Sequence, residues 1–217
     1  MAFFKKNPIP CRLCGADDTQ TFYKDKRRDY FKCNQCHLVF VPAAQFLTLA
    51  DEKARYDLHQ NTPDDPDYCR FLGRLVDPMA TLLPRNSSGL DFGCGPGPAL
   101  SKLFQEHGHH VINYDPLYAN DESVFDQQYD FICATEVVEH LHHPGKELDR
   151  LWQCLKPGGI LGIMTKRVID ADAFANWHYK NDDTHVCFFH EATFKWLANQ
   201  WGADLSVVSD DVVIIHK

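Results

Sequence analysis

The 217 residues are 44% hydrophobic and 24% charged, enough for one full-sized core with a small module beside it, which excludes a disordered chain. No segment approaches the roughly 20 apolar residues of a membrane helix, and Met1–Pro8 holds no signal-peptide core, so no membrane partner and a cytoplasmic location are expected. The net charge of −8 hides an asymmetry: residues 1–36 carry eight Lys/Arg against four Asp, net +4, while the remainder is net −12. An acidic body disfavours wide contact with a phosphate backbone, whereas the basic start can still touch one.

Cys11-Arg-Leu-Cys14 and Cys33-Asn-Gln-Cys36 form two CxxC knuckles separated by 18 residues, the spacing of a four-cysteine zinc site. Gly15 suits the turn that closes the first knuckle, and short strands are expected at 21–23, 29–32 and 38–41. Zinc on Cys11, Cys14, Cys33 and Cys36 would supply folding energy that so short a segment cannot gain from apolar burial. A redox pair or a ribbon that has lost its ion fits the same spacing. The other five cysteines, Cys69, Cys94, Cys133, Cys154 and Cys187, read as small buried apolar residues. Residues 1–42 are thus expected to form a zinc ribbon whose core is separate from that of the larger domain.

Residues 43–85 show broken helical periodicity around the turn-rich 61–66 and read as a connector of two short helices. Tyr56, His59 and Tyr68 are either lid residues or ordinary helix-surface and packing residues. From Ser88 onward strands and helices alternate: strand 89–93, helix 98–107, strands 110–115 and 129–136, helix 144–155, strand 159–166, helix 191–201 and a terminal antiparallel hairpin over 204–209 and 212–217. Residues 86–217 therefore form an α/β domain on a parallel sheet.

Leu90-Asp91-Phe92-Gly93-Cys94-Gly95-Pro96-Gly97 lies where a strand gives way to a helix, and its glycines let a ligand approach the backbone. A dinucleotide fingerprint would need glycine at Pro98. Together with Asp115, the segment Tyr129–Glu136, the turn Leu155-Lys-Pro-Gly-Gly159 and the final hairpin, it resembles the class I S-adenosylmethionine-dependent methyltransferases of the quinone-biosynthesis-like group, from about residue 43 to the C-terminus.

The resemblance implies a Rossmann-like seven-strand sheet and S-adenosyl-L-methionine as cofactor. It places Asp91, Gly93, Cys94, Gly95, Gly97 and Thr135 around the cofactor, with Asp115 accepting both ribose hydroxyls. Only 14 residues separate Asp115 from Asp130, so the third strand is expected to be short or missing, and the adenine falls only loosely to the loop of Asp121, Val124 and Phe125.

Glu136, Glu139 and His140 follow the fourth strand of this pattern within one turn, with His185 available from a later loop. This catalytic set resembles the divalent-metal site of quinone O-methyltransferases and of small-RNA terminal 2′-O-methyltransferases, where Mg or Mn would hold adjacent acceptor oxygens. Alternatively His140 acts as a general base, or Glu139 merely orients the turn. The aromatic run Trp177-His-Tyr-Lys-Asn-Asp-Asp183 either stacks on a planar acceptor or closes the core.

A small-molecule acceptor is favoured. The alternatives are an RNA or translation component gripped by Lys24-Asp-Lys-Arg-Arg28, and a non-catalytic S-adenosylmethionine-binding or interaction protein. Nothing in the sequence sets an oligomeric state.

Overall fold

The computed structural model describes residues 9–58 and 62–217; His59 lies outside them. The elements are β1 (Thr19–Lys24), β2 (Asp29–Cys33), β3 (Val39–Phe40), α1 (Leu49–Tyr56), α2 (Pro66–Leu82), β4 (Ser88–Phe92), α3 (Ala99–Glu106), β5 (His110–Tyr114), β6 (Tyr129–Thr135), α4 (Pro144–Gln153), β7 (Leu155–Met164), α5 (Ala171–Ala175), β8 (Cys187–Phe188), α6 (Glu191–Trp201), β9 (Asp204–Val207) and β10 (Val212–His216). Among the described residues no helix is long and apolar enough to cross a membrane.

The larger sheet runs β5-β4-β6-β7-β10-β9. Pairs β5/β4, β4/β6 and β6/β7 are parallel, whereas β10 runs antiparallel to both β7 and β9. It has six strands, not the expected seven. The residues after Asp115 are consumed by a bridge from Asp115 to Ala119 and a 3-10 turn over Glu122–Asp126, leaving no length for a third strand and its helix. β5 is therefore the sheet edge. The chain runs from β4 out to β5 and returns to β6 on the other side of β4, so the strand order reverses between the carboxyl ends of β4 and β6, where open α/β sheets bind ligands.

The central strands β6, β7 and β10 are nearly continuous buried runs, as a sheet covered on both faces requires. α2 is longer than the expected short helix. Asp65 caps it by accepting from the Asp67 and Tyr68 amides, and Pro66 opens its first turn. Its apolar face (Leu72, Leu75, Val76, Met79) lies on the sheet at Gly162, where a Cβ would overlap the Met79 thioether. Ahead of α2 a 3-10 turn spans Ala43–Gln45, and α1, the first of the two connector helices, begins at Leu49, capped by Thr48.

The N-terminal segment does not stand apart. β1, β2 and β3 form a second sheet whose fourth strand is β8, from the loop before α6. Tyr30 and Phe40 share one core cluster with Phe174, Phe188 and the β6 residues Ile132 and Ala134. The expectation of a separate ribbon core is thus corrected, because three short strands present too little apolar area to close a core alone. Within the segment, Gly15 (φ 73°) and His37 (φ 62°) occupy matching left-handed positions after the two knuckles. The four sulfurs all lie within 4.8 Å of one another, with Cys11–Cys36 at 3.4 Å and Cys14–Cys33 at 3.5 Å. No disulfide joins any of the nine cysteines; Cys133, Cys154 and Cys187 are buried as expected, whereas Cys69 and Cys94 are half-buried.

The first knuckle is pressed onto the start of α4, where a Cβ on Gly145 would overlap the Leu13 carbonyl oxygen. Gly145→Ala should therefore destabilise the chain by about 1–3 kcal/mol despite the better helix former. Gly73→Ala, in mid-α2, meets only the Asp77 side chain at 3.5 Å and should stabilise by about 0.5–1 kcal/mol. Denaturant unfolding of the two variants should move in opposite directions; equal shifts would mean the knuckle does not bear on α4.

Candidate active site

A cavity of about 930 Å³ opens at the switch point. Its walls come from the turn after β4 (Phe92–Pro96), the end of β5 and the following loop (Tyr114–Tyr118), the segment after β6 (Thr135–Val137, His140–His143), helix α1, and Asp182 and His185. Tyr56 and Tyr68 line it, as lid residues would.

Of the residues expected around a cofactor, Gly93, Cys94, Gly95, Asp115 and Thr135 line the cavity, whereas Asp91 and Gly97 do not. Gly93 is glycine because φ is 78° and a Cβ would strike Val137. Gly95 has φ 63° with open space where its Cβ would be, so that face of the turn is left for a ligand. Asp91 is buried at the end of β4, and burial, with Asp115 nearby, pushes its carboxyl up to about 7.

Asp115 shapes the turn more than the sequence implies. Its Oδ1 accepts from the Leu117 (2.8 Å) and Tyr118 (3.2 Å) amides, and Oδ2 from the Gly95 amide (3.0 Å). Three of about four acceptor positions are filled by backbone, so one remains on Oδ2 for a ligand hydroxyl unless the Gly95 amide yields. Of the residues loosely tied to adenine, Asp121 caps the 3-10 turn and neither it, Val124 nor Phe125 lines the cavity; Glu122 and Pro116–Tyr118 do.

The opposite wall carries the acid and imidazole groups. Glu136 has φ 52°, a left-handed backbone that a glutamate rarely adopts, just past β6. Glu139 lies in a 3-10 turn and is fully buried. Tyr179 Oη reaches Glu139 Oε1 and lies 3.2 Å from Glu136 Oε2, while Thr165 Oγ1 donates to Glu139 Oε2 at 2.9 Å. Burial raises the proton affinity of both carboxyls, reinforced at Glu136 by the charge of Glu139 and at Glu139 by that of Asp182. Two buried polar atoms of the cavity wall, Thr135 Oγ1 and Glu136 Oε1, have no hydrogen-bond partner.

His140 sets Nδ1 3.3 Å from the Thr184 carbonyl and His185 sets Nδ1 2.8 Å from the Tyr179 carbonyl, so each ring donates from Nδ1, and in the neutral form its lone pair lies on Nε2. His140 Nε2 is 4.0 Å from Glu139 Oε1 and His185 Nε2 is 3.9 Å from Asp182 Oδ2. Burial and the neighbouring His140 hold His185 well below the usual imidazole range. Ligand atoms of Glu139, His140 and His185 all lie within 4.8 Å of one another. Of the four residues expected to converge, Glu136 is outside this set but only one tyrosine hydroxyl away.

Of the two roles left open for the aromatic run, the structure shows the second, closing the core. Trp177 packs on Phe174, Tyr179 and Phe188 rather than facing an acceptor, and only the Tyr179 hydroxyl reaches the carboxylates. Sequence reasoning missed Thr165 and Tyr179 as holders of Glu139, Asp182 beside His185, and the 2.7 Å pair of His142 with Glu52 that fastens α1 over the cavity. A polar residue spaced by a loop from its partner carries no local periodic signal.

The profile of a family described as "Methyltransferase domain" matches residues 63–209. The chain belongs to this methyltransferase family. It is 37% identical over 93 residues to the ubiquinone biosynthesis O-methyltransferase of Nitrobacter winogradskyi, covering 43% of this chain and 34% of that protein. It is 31% identical over 98 residues to the protein of the same name from Bradyrhizobium, covering 38% of it. The matched stretches thus span well under half of those relatives. Among solved structures, a 1,6-didemethyltoxoflavin-N1-methyltransferase of Burkholderia thailandensis superposes with TM-score 0.53 at 17% identity, covering 91% of this chain and 99% of that one. A methyltransferase of Archaeoglobus fulgidus gives TM-score 0.53 at 16% identity, covering 78% and 98%. These likenesses concern the fold.

Asp91 gives a pH prediction. A carboxyl at about 7 in the folded chain and in its ordinary range when unfolded keeps a proton that the unfolded chain has released. The Asp91 contribution to stability is therefore full below the ordinary carboxylate range and is lost as the pH rises to about 7. Asp91→Asn should remove that part of the slope in urea unfolding measured from pH 4.5 to 8; an unchanged slope would deny the burial effect.

Proposed function

We propose that the chain transfers the methyl group of S-adenosylmethionine to an oxygen of a small molecule, at a cation site made by Glu139, His140 and His185 with Glu136 beside them. The observation that carries this reading is the clustering of ligand atoms of Glu139, His140 and His185, of which the two histidines line, with Glu136, the cavity into which Gly95 opens, while Glu139 is buried behind that wall. The orphaned Thr135 Oγ1 and Glu136 Oε1 fit groups that arrive with a ligand. The likeness to proteins named ubiquinone biosynthesis O-methyltransferase supports an oxygen acceptor.

When bound, the cofactor supplies an electrophilic methyl group and Mg or Mn supplies Lewis acidity to an acceptor hydroxyl. The turn of Gly93, Cys94 and Gly95 would hold the methionine part, with Asp91 behind it acting on the ammonium through water, and Asp115 would accept from a ribose hydroxyl. Both histidines offer Nε2 because their Nδ1 hydrogens are committed to carbonyls. Glu136 lines the cavity, and its raised proton affinity suits it to hold the proton that the acceptor gives up. Without a cation, His140 Nε2 is the alternative base. Helix α1, fastened through Glu52 and His142, limits water at the site.

The four-cysteine cluster suits a structural zinc. Sulfur separations of 3.4 and 3.5 Å approach the edge of about 3.8 Å that a tetrahedral zinc thiolate site requires. Residues 1–42 would then be the ribbon, 43–85 the connector and lid, and 86–217 the catalytic domain, and a reducing cytoplasmic compartment suits nine unpaired cysteines.

The RNA reading is disfavoured by what the basic cluster does. Lys24 pairs with Asp29, Arg27 with Asp183, and Arg28 is buried. Arg28 is thus lost to a phosphate, and the acidic partners of Lys24 and Arg27 weaken what the exposed part of the cluster offers one.

Cell extract incubated with methyl-labelled S-adenosylmethionine should take label into its small-molecule fraction. Label confined to RNA or protein would overturn the acceptor class. The same activity should be lost in EDTA and restored by Mg²⁺ or Mn²⁺ while one zinc per chain stays in place by elemental analysis. Full activity in EDTA would remove the cation and leave His140 as the base to test by His140→Ala.

A further inference from the structure

Tyr179, Asp182 and His185 reach the site from a stretch with only a 3-10 turn over His178–Asn181 and no strand until β8. Backbone without a ladder needs other donors to hold its carbonyls. Here four of the carbonyls, those of Lys180, Asp182, Asp183 and His185, are met by one side chain of the N-terminal segment, while Arg27 meets that of Asn181. The Arg28 guanidinium donates from Nη1 to the carbonyls of Asp183 (3.2 Å) and His185 (2.9 Å), from Nη2 to those of Lys180 and Asp182 (2.9 Å), and from Nε to the Tyr30 hydroxyl (3.3 Å). All five of its N–H donors are used.

The anchor is itself rigid. Asp25 Oδ1 accepts from the Arg27 and Arg28 amides at 2.8 Å each, closing the hairpin between β1 and β2, and Asp25 Oδ2 meets Lys180 Nζ at 3.4 Å. Arg28 is 5% exposed, and burying a guanidinium costs several kcal/mol unless its hydrogen bonds are met. A lysine could meet at most three acceptors, from a point rather than a planar fork.

We infer that Arg28 is a positioning residue for the proposed cation site: it fixes the backbone that delivers His185 and Asp182, so that the cysteine-rich segment completes the active site of the domain behind it. The inference rests on the cation reading of Glu139, His140 and His185. It concerns one wall of the cavity only, since the glycine turn and Asp115 lie on other elements.

The test compares the whole chain with Arg28→Met and Arg28→Lys, using Mn²⁺ binding by electron paramagnetic resonance and S-adenosylhomocysteine binding by calorimetry. Arg28→Met should keep cofactor-product affinity within about twofold and lose Mn²⁺ affinity by about tenfold or more, the usual range for removing the group that orients a ligand. Arg28→Lys should fall between the two. An Arg28→Met variant that binds Mn²⁺ like the parent overturns the inference alone, and a parent that binds no Mn²⁺ overturns the cation reading and the inference with it. Should Arg28→Met lose both ligands through misfolding, Arg28→Lys decides: Mn²⁺ affinity lost at preserved product affinity supports the role, and proportional loss of both overturns it.

Discussion

The fold depends on a short run of backbone hydrogen bonds that crosses from one sheet toward the other. The Val41 amide donates to the Val186 carbonyl and the Val186 amide donates to the Glu139 carbonyl, 2.9 and 2.8 Å. These two bonds join the strand that ends the cysteine-rich segment to the turn that carries the buried carboxylate. With β3 paired to β8 and the Cys187 thiol donating to the Leu141 carbonyl, the segment after β6 is held from outside the larger sheet. A 3-10 turn of three residues could not fix a buried glutamate by itself, because it satisfies too few of its own backbone groups.

That external support explains how the site tolerates strain and unfavourable charge. Glu136 sits in a left-handed conformation, a few residues from a second buried carboxyl, and the two share the hydroxyl of Tyr179. Each feature costs free energy, of order 1–3 kcal/mol for such a backbone, and persists only where neighbours over-determine it. The neighbours are the Glu136 amide bond to the Met164 carbonyl, the Thr165 hydroxyl on Glu139, and the aromatic cluster of Phe174, Trp177 and Phe188 beneath Tyr179. Strain placed beside unpaired buried oxygens at a sheet's carboxyl end is what a preorganised binding site requires.

Much of this was legible in the sequence because it is carried by local patterns. The β4 glycine turn, the alternation of strands and helices and the two cysteine knuckles each announce themselves within a few residues, and the observed strands begin and end close to the expected positions. The missing third strand was foreseeable from chain length alone. What was illegible depends on pairing across distance: β3 with β8 spans about 150 residues and involves two residues on each side, too short for any periodicity to register. For the same reason the aromatic run 177–183 could be read equally as an acceptor platform or as core, and only the structure shows its rings closing a core that the cysteine-rich segment helps to build. Asp115 shows the limit within a recognised motif, since its sequence position says nothing of the three amides that already occupy it.

The charge of the first 36 residues carries a related lesson. A count of +4 describes formal charge, and what a partner meets is the field left after internal pairing. Here Arg27 reaches Asp183 and Asn181 from a half-exposed position, Arg28 is consumed by four carbonyls, and the exposed Lys24 pairs with Asp29, so the arginines of the cluster turn onto the loop of His185 while its lysines stay at the surface. The same residues that would signal a polyanion partner in an isolated ribbon become, once β8 has paired with β3, the means by which that ribbon grips its own chain. Charge clustered on a small module is therefore read correctly only after asking which backbone carbonyls elsewhere in the fold lack donors.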